Sequence, residues 1–224
     1  MTGLEGKSLY GFGDSLVRGH WLNVGMLDLV AEKHGMVFTN YAQNGATVIP
    51  GIARKLKQQD WPDIASQITQ ASLRQPDVIC FDGMTNDISP LVLQQCFGSI
   101  ASGFSGGYDT ASFTGALEQI CWRLREKYPD SLVIYICPHK MKARDLVCQE
   151  LFQARAKEVC GKWSVPYVDV YGESGLDTCE EAMRLKYSYD KPGERTGGSG
   201  THLNEEGYAR WYAPLIEKKL LECL

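Results

Sequence analysis

Short apolar runs alternate with helix-length segments along the chain, and that alternation limits the fold more than any other feature. Ser8-Leu9-Tyr10, Val37–Tyr41, Pro76–Phe81, Ser131–Ile136 and Pro166–Val170 read as strands, ended by turn-forming or polar residues. Between and after them, Asn23 to His34, Asp63 to Arg74, Phe113 to Lys127, Ala143 to Lys162 and Asn204 to Leu221 read as helices. Strands interleaved with helices of this length predict an α/β fold: a three-layer α/β/α, flavodoxin-like, doubly wound parallel sheet of five strands. In such a sheet, functional residues gather at the carboxyl ends of the strands. A Gly/Ser-rich stretch from Ser99 to Ser112 and a polar one from Tyr187 to Gly200 read as loops. No internal repeat or linker divides the chain, so residues 1–224 are expected to form one domain.

Bulk properties narrow the function. A net charge of -4 argues against a nucleic-acid binder. No apolar run approaches the roughly 20 residues that span a bilayer. Met1 to Lys7 contain no apolar leader segment, so no secretory signal is expected. The 8 cysteines form no C-x-x-C pair, and several sit inside apolar runs, which predicts free thiols and a cytoplasmic setting.

Four polar blocks fall at the predicted active rim. Gly13-Asp14-Ser15 follows the first strand and opens a helix, a position where a serine hydroxyl meets helix N–H groups. Asn44-Gly45 follows the second strand, Asn86-Asp87 follows the third, and His202 precedes the last helix. In this order the blocks resemble the SGNH (GDSL-type) hydrolase/esterase superfamily. The resemblance implies Ser15 as nucleophile and His202 as its base, with an oxyanion hole built from the N–H of Ser15, the N–H of Gly45 and the side-chain amide of Asn86. It implies hydrolysis of a small carboxylic ester, an acetylated carbohydrate for example, through an acyl-enzyme, with no metal and no organic cofactor.

Two departures from that pattern stand out. Met84 occupies the position two before Asn86, where the family has glycine, and Gly83 stands one place earlier. Ser199 occupies the position three before His202, where the family has the aspartate that orients the imidazole. Ser199 itself, or Asp190 and Glu194 on the same loop, are the candidates for that role. The missing aspartate keeps a non-catalytic or weakly active binding module with a degenerate SGNH pocket open beside the hydrolase, and an acyltransferase would use the same acyl-enzyme. His20 and His139 are candidate pocket residues, and Trp21, Trp61 and Tyr108 a candidate stacking wall. Rival motifs are incomplete: a dinucleotide fingerprint needs glycine at Leu16, and an α/β-hydrolase elbow needs it at Val17. The oligomeric state is left open.

Overall fold

The computed structural model describes residues 3–224; Met1 and Thr2, the start of the stretch read for a leader segment, lie outside them. The elements follow in the order β1 (Ser8–Phe12), α1 (Ser15–Arg18), α2 (Met26–His34), β2 (Val37–Asn40), α3 (Ile52–Lys57), α4 (Ile64–Gln70) and β3 (Val78–Phe81). Next come α5 (Pro90–Gln95), α6 (Phe113–Lys127), β4 (Leu132–Cys137), α7 (Leu146–Lys162), β5 (Tyr167–Asp169), α8 (Val170–Glu173) and α9 (Glu181–Tyr187). The chain closes with α10 (Glu205–Gly207), a π-helical segment (Tyr208–Tyr212) and α11 (Ala213–Cys223).

The strands form one five-stranded sheet in the order β2-β1-β3-β4-β5. Every pairing is parallel, with Leu9 opposite Phe38 on one side and Val78 on the other. Successive side chains on a strand point to opposite faces, and here that period feeds two separate cores. Tyr10, Phe12, Ile79, Phe81, Val133 and Tyr135 pack against α4, α6 and α7. Leu9, Val78, Cys80, Ile134 and Ile136 pack against α2, the π segment and α11. Gly11 breaks the apolar pattern of β1 because a Cβ there would sit 2.9 Å from the Phe38 ring.

The connection from β1 to β2 uses α2 on one face, and the connection from β2 to β3 returns through α4 on the other. The strand order therefore reverses direction at β1, the crevice where open α/β sheets place ligands. Ser15 stands three residues past the end of that strand.

Several elements differ from the sequence reading. α3, α5 and α9 were not expected, since each is too short to show a helical period. α5 does carry a readable start: Ser89 Oγ accepts the Val92 N–H, and Pro90 occupies the first turn. α7 begins at Leu146 rather than Ala143, capped by Asp145, and α4 ends at Gln70 rather than Arg74. The last expected helix is divided into α10, the π segment and α11. Pro214 accounts for the break, because it has no N–H for the carbonyl of Arg210. The 8 cysteines are free, and no helix among the described residues is long and apolar enough to cross a membrane.

Buried polar groups lock the loops that carry the site. Asp87, fully buried, accepts the N–H groups of Val48 (2.9 Å) and Ile49 (3.0 Å), joining the loop after β3 to the loop after β2. Burial pushes its carboxyl up to about 7 against the pull of those two donors. On the same face of the sheet Glu118, also fully buried, accepts the Ala101 N–H at 2.8 Å and pairs with Lys162. Lys162 Nζ also donates to the carbonyls of Ala101 and Gly103, both at 2.7 Å, fastening the Gly/Ser-rich loop to α7.

Asp87→Asn offers one acceptor where two are used, so it should destabilise the fold by about 1–3 kcal/mol in denaturant titration. An unchanged unfolding midpoint would contradict the two-acceptor role. Lys162→Met leaves the Glu118 carboxylate buried without a counter-charge and should cost about 3–5 kcal/mol, a fall in Tm of roughly 10 °C. A Tm within a degree or two of wild type would show that the pair contributes nothing.

Candidate active site

The turn between β1 and α1 is built around Gly13. Its φ is +141°, and a Cβ there would lie 1.8 Å from Asp82 Oδ1, so only glycine fits. Gln67, reaching from α4, clasps the same peptide: it accepts the Gly13 N–H at 2.9 Å and donates to the Gly13 carbonyl at 2.8 Å. Asp14 caps α1 by accepting the Leu16 N–H at 2.8 Å, while its own N–H donates to Asp82 Oδ1 at 2.9 Å. Both carboxyls are fully buried. Burial raises both above the usual carboxylate range, and Asp82 the further because the charge of Asp14 lies against it. Asp14 has the helix N–H for its charge, so the proton of the pair belongs on Asp82.

That turn delivers Ser15 to the first position of α1. Its Oγ lies 2.9 Å from Nε2 of His202, 187 positions later in the chain. Gly45 has a φ of +80°, and its Cα packs over Trp61, to which a Cβ would come within 3.1 Å. Asn86 donates through Nδ2 to the Ala46 carbonyl at 2.9 Å, which fixes its amide beside Gly45 with one N–H to spare. No acceptor among the described residues takes the N–H of Ser15 or of Gly45. Met84 holds a φ of +155°, in the range that favours glycine, and its side chain is buried in the core. It thus adopts the conformation open to the family's glycine, with the strain offset by packing.

His202 stands on a loop held from below. Gly200, at φ +96°, places its carbonyl where His139 Nε2 (2.9 Å) and Thr178 Oγ1 (2.9 Å) both donate to it. Tyr212, on the π segment, accepts the His139 backbone N–H at 3.0 Å and lies 2.7 Å from His139 Nδ1. The hydroxyl therefore donates to Nδ1, and His139 is the neutral Nε2–H tautomer. Burial lowers its pKa to about 4, in keeping with that assignment. His139 is completely buried and does not line the cavity at Ser15, so the candidate pocket role gives way to a supporting one.

Nothing among the described residues hydrogen-bonds to His202 Nδ1. Ser199 turns the other way: its hydroxyl and N–H both donate to Asp190, each at 2.8 Å. Glu194 accepts from the N–H groups of Asp190 and Lys191. None of the three candidates thus touches the imidazole. His20 does. Its ring lies parallel to that of His202, with centroids 3.7 Å apart and planes 5° apart. Burial first, then the neighbouring His20, Arg144 and His139, lowers the His202 pKa to about 3. His20 is lowered too, by burial, against the pull of Asp190.

The cavity over Ser15 has a volume of about 390 Å³ and is lined by His20, Asn44, Gly45, Lys57, Trp61, Asn86, Ala143, Arg144, Ser199, Thr201 and His202. Of the aromatic residues considered for a stacking wall, Trp61 alone lines it; Trp21 faces solvent and Tyr108 is buried against Trp163. Lys57 and Arg144 escaped the sequence reading. Arg144 had a findable signal, since it follows β4 on the same rim as the other blocks. Lys57 lies on the unexpected α3. No group of three or more His, Cys, Asp or Glu among the described residues is placed to hold a metal ion.

Solved structures share the fold of this chain. A lipase/acylhydrolase of Enterococcus faecalis is 19% identical, with 97% of each chain covered and a TM-score of 0.57. Phospholipase A1 of Streptomyces albidoflavus is 13% identical, with 96% of this chain and 99% of that one covered and a TM-score of 0.64. A Bacteroides ovatus protein described as a GDSL-like lipase is 15% identical, with 97% and 99% covered and a TM-score of 0.66. At such identities the likeness shows a shared fold. No curated protein matches the chain. The family is shown by the sequence itself, which matches over residues 11–210: this chain belongs to the GDSL-like lipase/acylhydrolase family.

Proposed function

We propose that the protein is a serine ester hydrolase that cleaves small carboxylic esters through an acyl-enzyme. The observation that carries this reading is the 2.9 Å contact between Ser15 Oγ and His202 Nε2, beside two unclaimed N–H groups and the Asn86 amide. Ser15 Oγ bonds to the ester carbonyl carbon as its proton passes to Nε2. The carbonyl oxygen becomes an oxyanion held by the N–H groups of Ser15 and Gly45 and by Asn86 Nδ2, each such donor being worth about 2.7–4 kcal/mol. The carbon–oxygen bond to the alcohol then breaks, and His202 returns the proton to the departing oxygen. Water, deprotonated by the same Nε2, releases the acid and restores Ser15.

The base is a dyad rather than a triad. A carboxylate at Nδ1 would stabilise the imidazolium. Here burial and nearby positive charge oppose it, and the fall from 6.5 to about 3 is a cost on the order of 5 kcal/mol. Stacking on His20 holds the plane of the ring but contributes no charge to offset that cost. His202 is therefore a well-placed, weak base, and slow turnover of simple esters is the expected outcome. The buried free thiols support a cytoplasmic setting.

Wild type should release p-nitrophenol from p-nitrophenyl acetate and take up a fluorophosphonate on Ser15, and Ser15→Ala should do neither. Equal rates in the two proteins would remove the nucleophile assignment; a wild type inert to both reagents would favour a binding module. His20→Ala should lower kcat by about 10- to 100-fold through loss of ring alignment. It should also move the acid limb of the pH–rate profile upward, because His20 helps to depress the His202 pKa. An unchanged rate and profile would show that the stack does not position the base.

A further inference from the structure

Two cations stand in the cavity with no ion-pair partner among the described residues; the carboxylate that acts on Arg144 is the buried Asp14, which does not line the space. Lys57 ends α3, and Arg144 lies on the loop after β4; both line the space over Ser15. The same two residues, with Asn86, also line a second cavity of about 220 Å³ that continues past Leu56 and Ile88. They therefore flank the junction of the two spaces. Neither lining contains an aspartate or a glutamate.

Arg144 spends its other donors on the backbone: Nε gives to the Thr85 carbonyl at 2.7 Å and Nη1 to the Ala143 carbonyl at 3.0 Å. Nη2 has no protein acceptor among the described residues. Lys57 Nζ rests 4.1 Å above the Trp61 ring, and no acceptor among the described residues takes its N–H donors. After burial, the positive charge of Arg144 is what lowers the Lys57 pKa, so the two cations feel each other. Asp14 acts on Arg144 and not on Lys57, so the two like charges remain unfavourable side by side in the empty site, and an arriving anion relieves them. One guanidinium nitrogen and one ammonium group match the two oxygens of a carboxylate.

We propose that the ester cleaved at Ser15 carries a carboxylate, which binds between Lys57 and Arg144. The proposal rests on the ester-hydrolase reading of the site and gives it a substrate class. It also addresses the weak base. A carboxylate beside Arg144 offsets the positive charge that opposes imidazolium formation on His202. A carboxylate-bearing ester therefore gains in kcat as well as in KM.

Two matched pairs of esters test this. Mono-p-nitrophenyl glutarate against p-nitrophenyl valerate places the carboxylate on the acyl side; p-acetoxybenzoate against p-acetoxybenzamide places it on the alcohol side. Wild type should favour the carboxylate member of one pair by about tenfold or more in kcat/KM, with part of the gain in kcat. That preference should fall close to unity in Lys57→Met and in Arg144→Gln. Each ratio is taken within one protein, so a loss of folded enzyme cancels. Calorimetric binding of p-acetoxybenzoate and p-acetoxybenzamide to Ser15→Ala, with and without Arg144→Gln, makes the same comparison without turnover. No carboxylate preference in either pair or in binding, or a preference that survives both substitutions, would overturn the proposal. If Ser15→Ala instead turns over all four esters as wild type does, the serine assignment fails, and the two failures are thereby separated.

Discussion

The site depends on one close approach, that of the Gly13 peptide to the Asp82 side chain. The first and third strands are neighbours, and the first ends where strand order reverses. At that point the backbone must turn sharply while a buried carboxyl from β3's end receives the next N–H. A Cβ at residue 13 would collide with the carboxyl oxygen, and a charged Asp82 would repel Asp14. The absence of a side chain at Gly13 and a proton on Asp82 solve both problems. Together with the Gln67 clasp they hold Ser15 at a helix start, on the wall of the cavity.

The histidine side of the site is built differently. Its support comes from beneath, through Tyr212, His139 and the Gly200 carbonyl, and from the side, through the His20 ring. These contacts fix where the ring lies and leave its charge uncompensated. The carboxylate that the family's pattern supplies three residues earlier has become Ser199, which binds Asp190 and turns away from the imidazole. Position and charge stabilisation, joined in one residue in a triad, are separated here. On the proposed reading, the cations at Lys57 and Arg144 make the charge balance a property of enzyme and substrate together.

Much of this was legible in the sequence. The short apolar runs, with helix-length segments between them, were enough for the sheet and its layers, because burial on both faces leaves β3 and β4 apolar throughout. Gly13-Asp14-Ser15, Asn44-Gly45, Asn86-Asp87 and His202 come together because a parallel sheet brings the ends of its strands to one rim. What escaped reading depends on partners distant in the chain. His139 looks like a rim residue until Tyr212 and Gly200 close around it, and Tyr212 reaches it from a π segment that only Pro214 hints at. The partner of Ser199 is nine residues upstream, beyond any motif spacing. Lys57 sits on a helix too short to announce itself. His20 carries a φ of +45°, a backbone choice no local pattern signals, and that turn sets its ring against His202.

In the proposed mechanism His202 serves as an uncharged base with no carboxylate behind it. Nitrogen NMR of the imidazoles, with the His202 signals assigned by their loss in His202→Gln, measures this directly across a pH titration. The ring should stay neutral through the neutral and mildly acidic range and titrate only near a pKa of about 3. A midpoint at or above the free-imidazole value of about 6.5 would mean that a negative charge supports the ring after all, and would contradict the dyad.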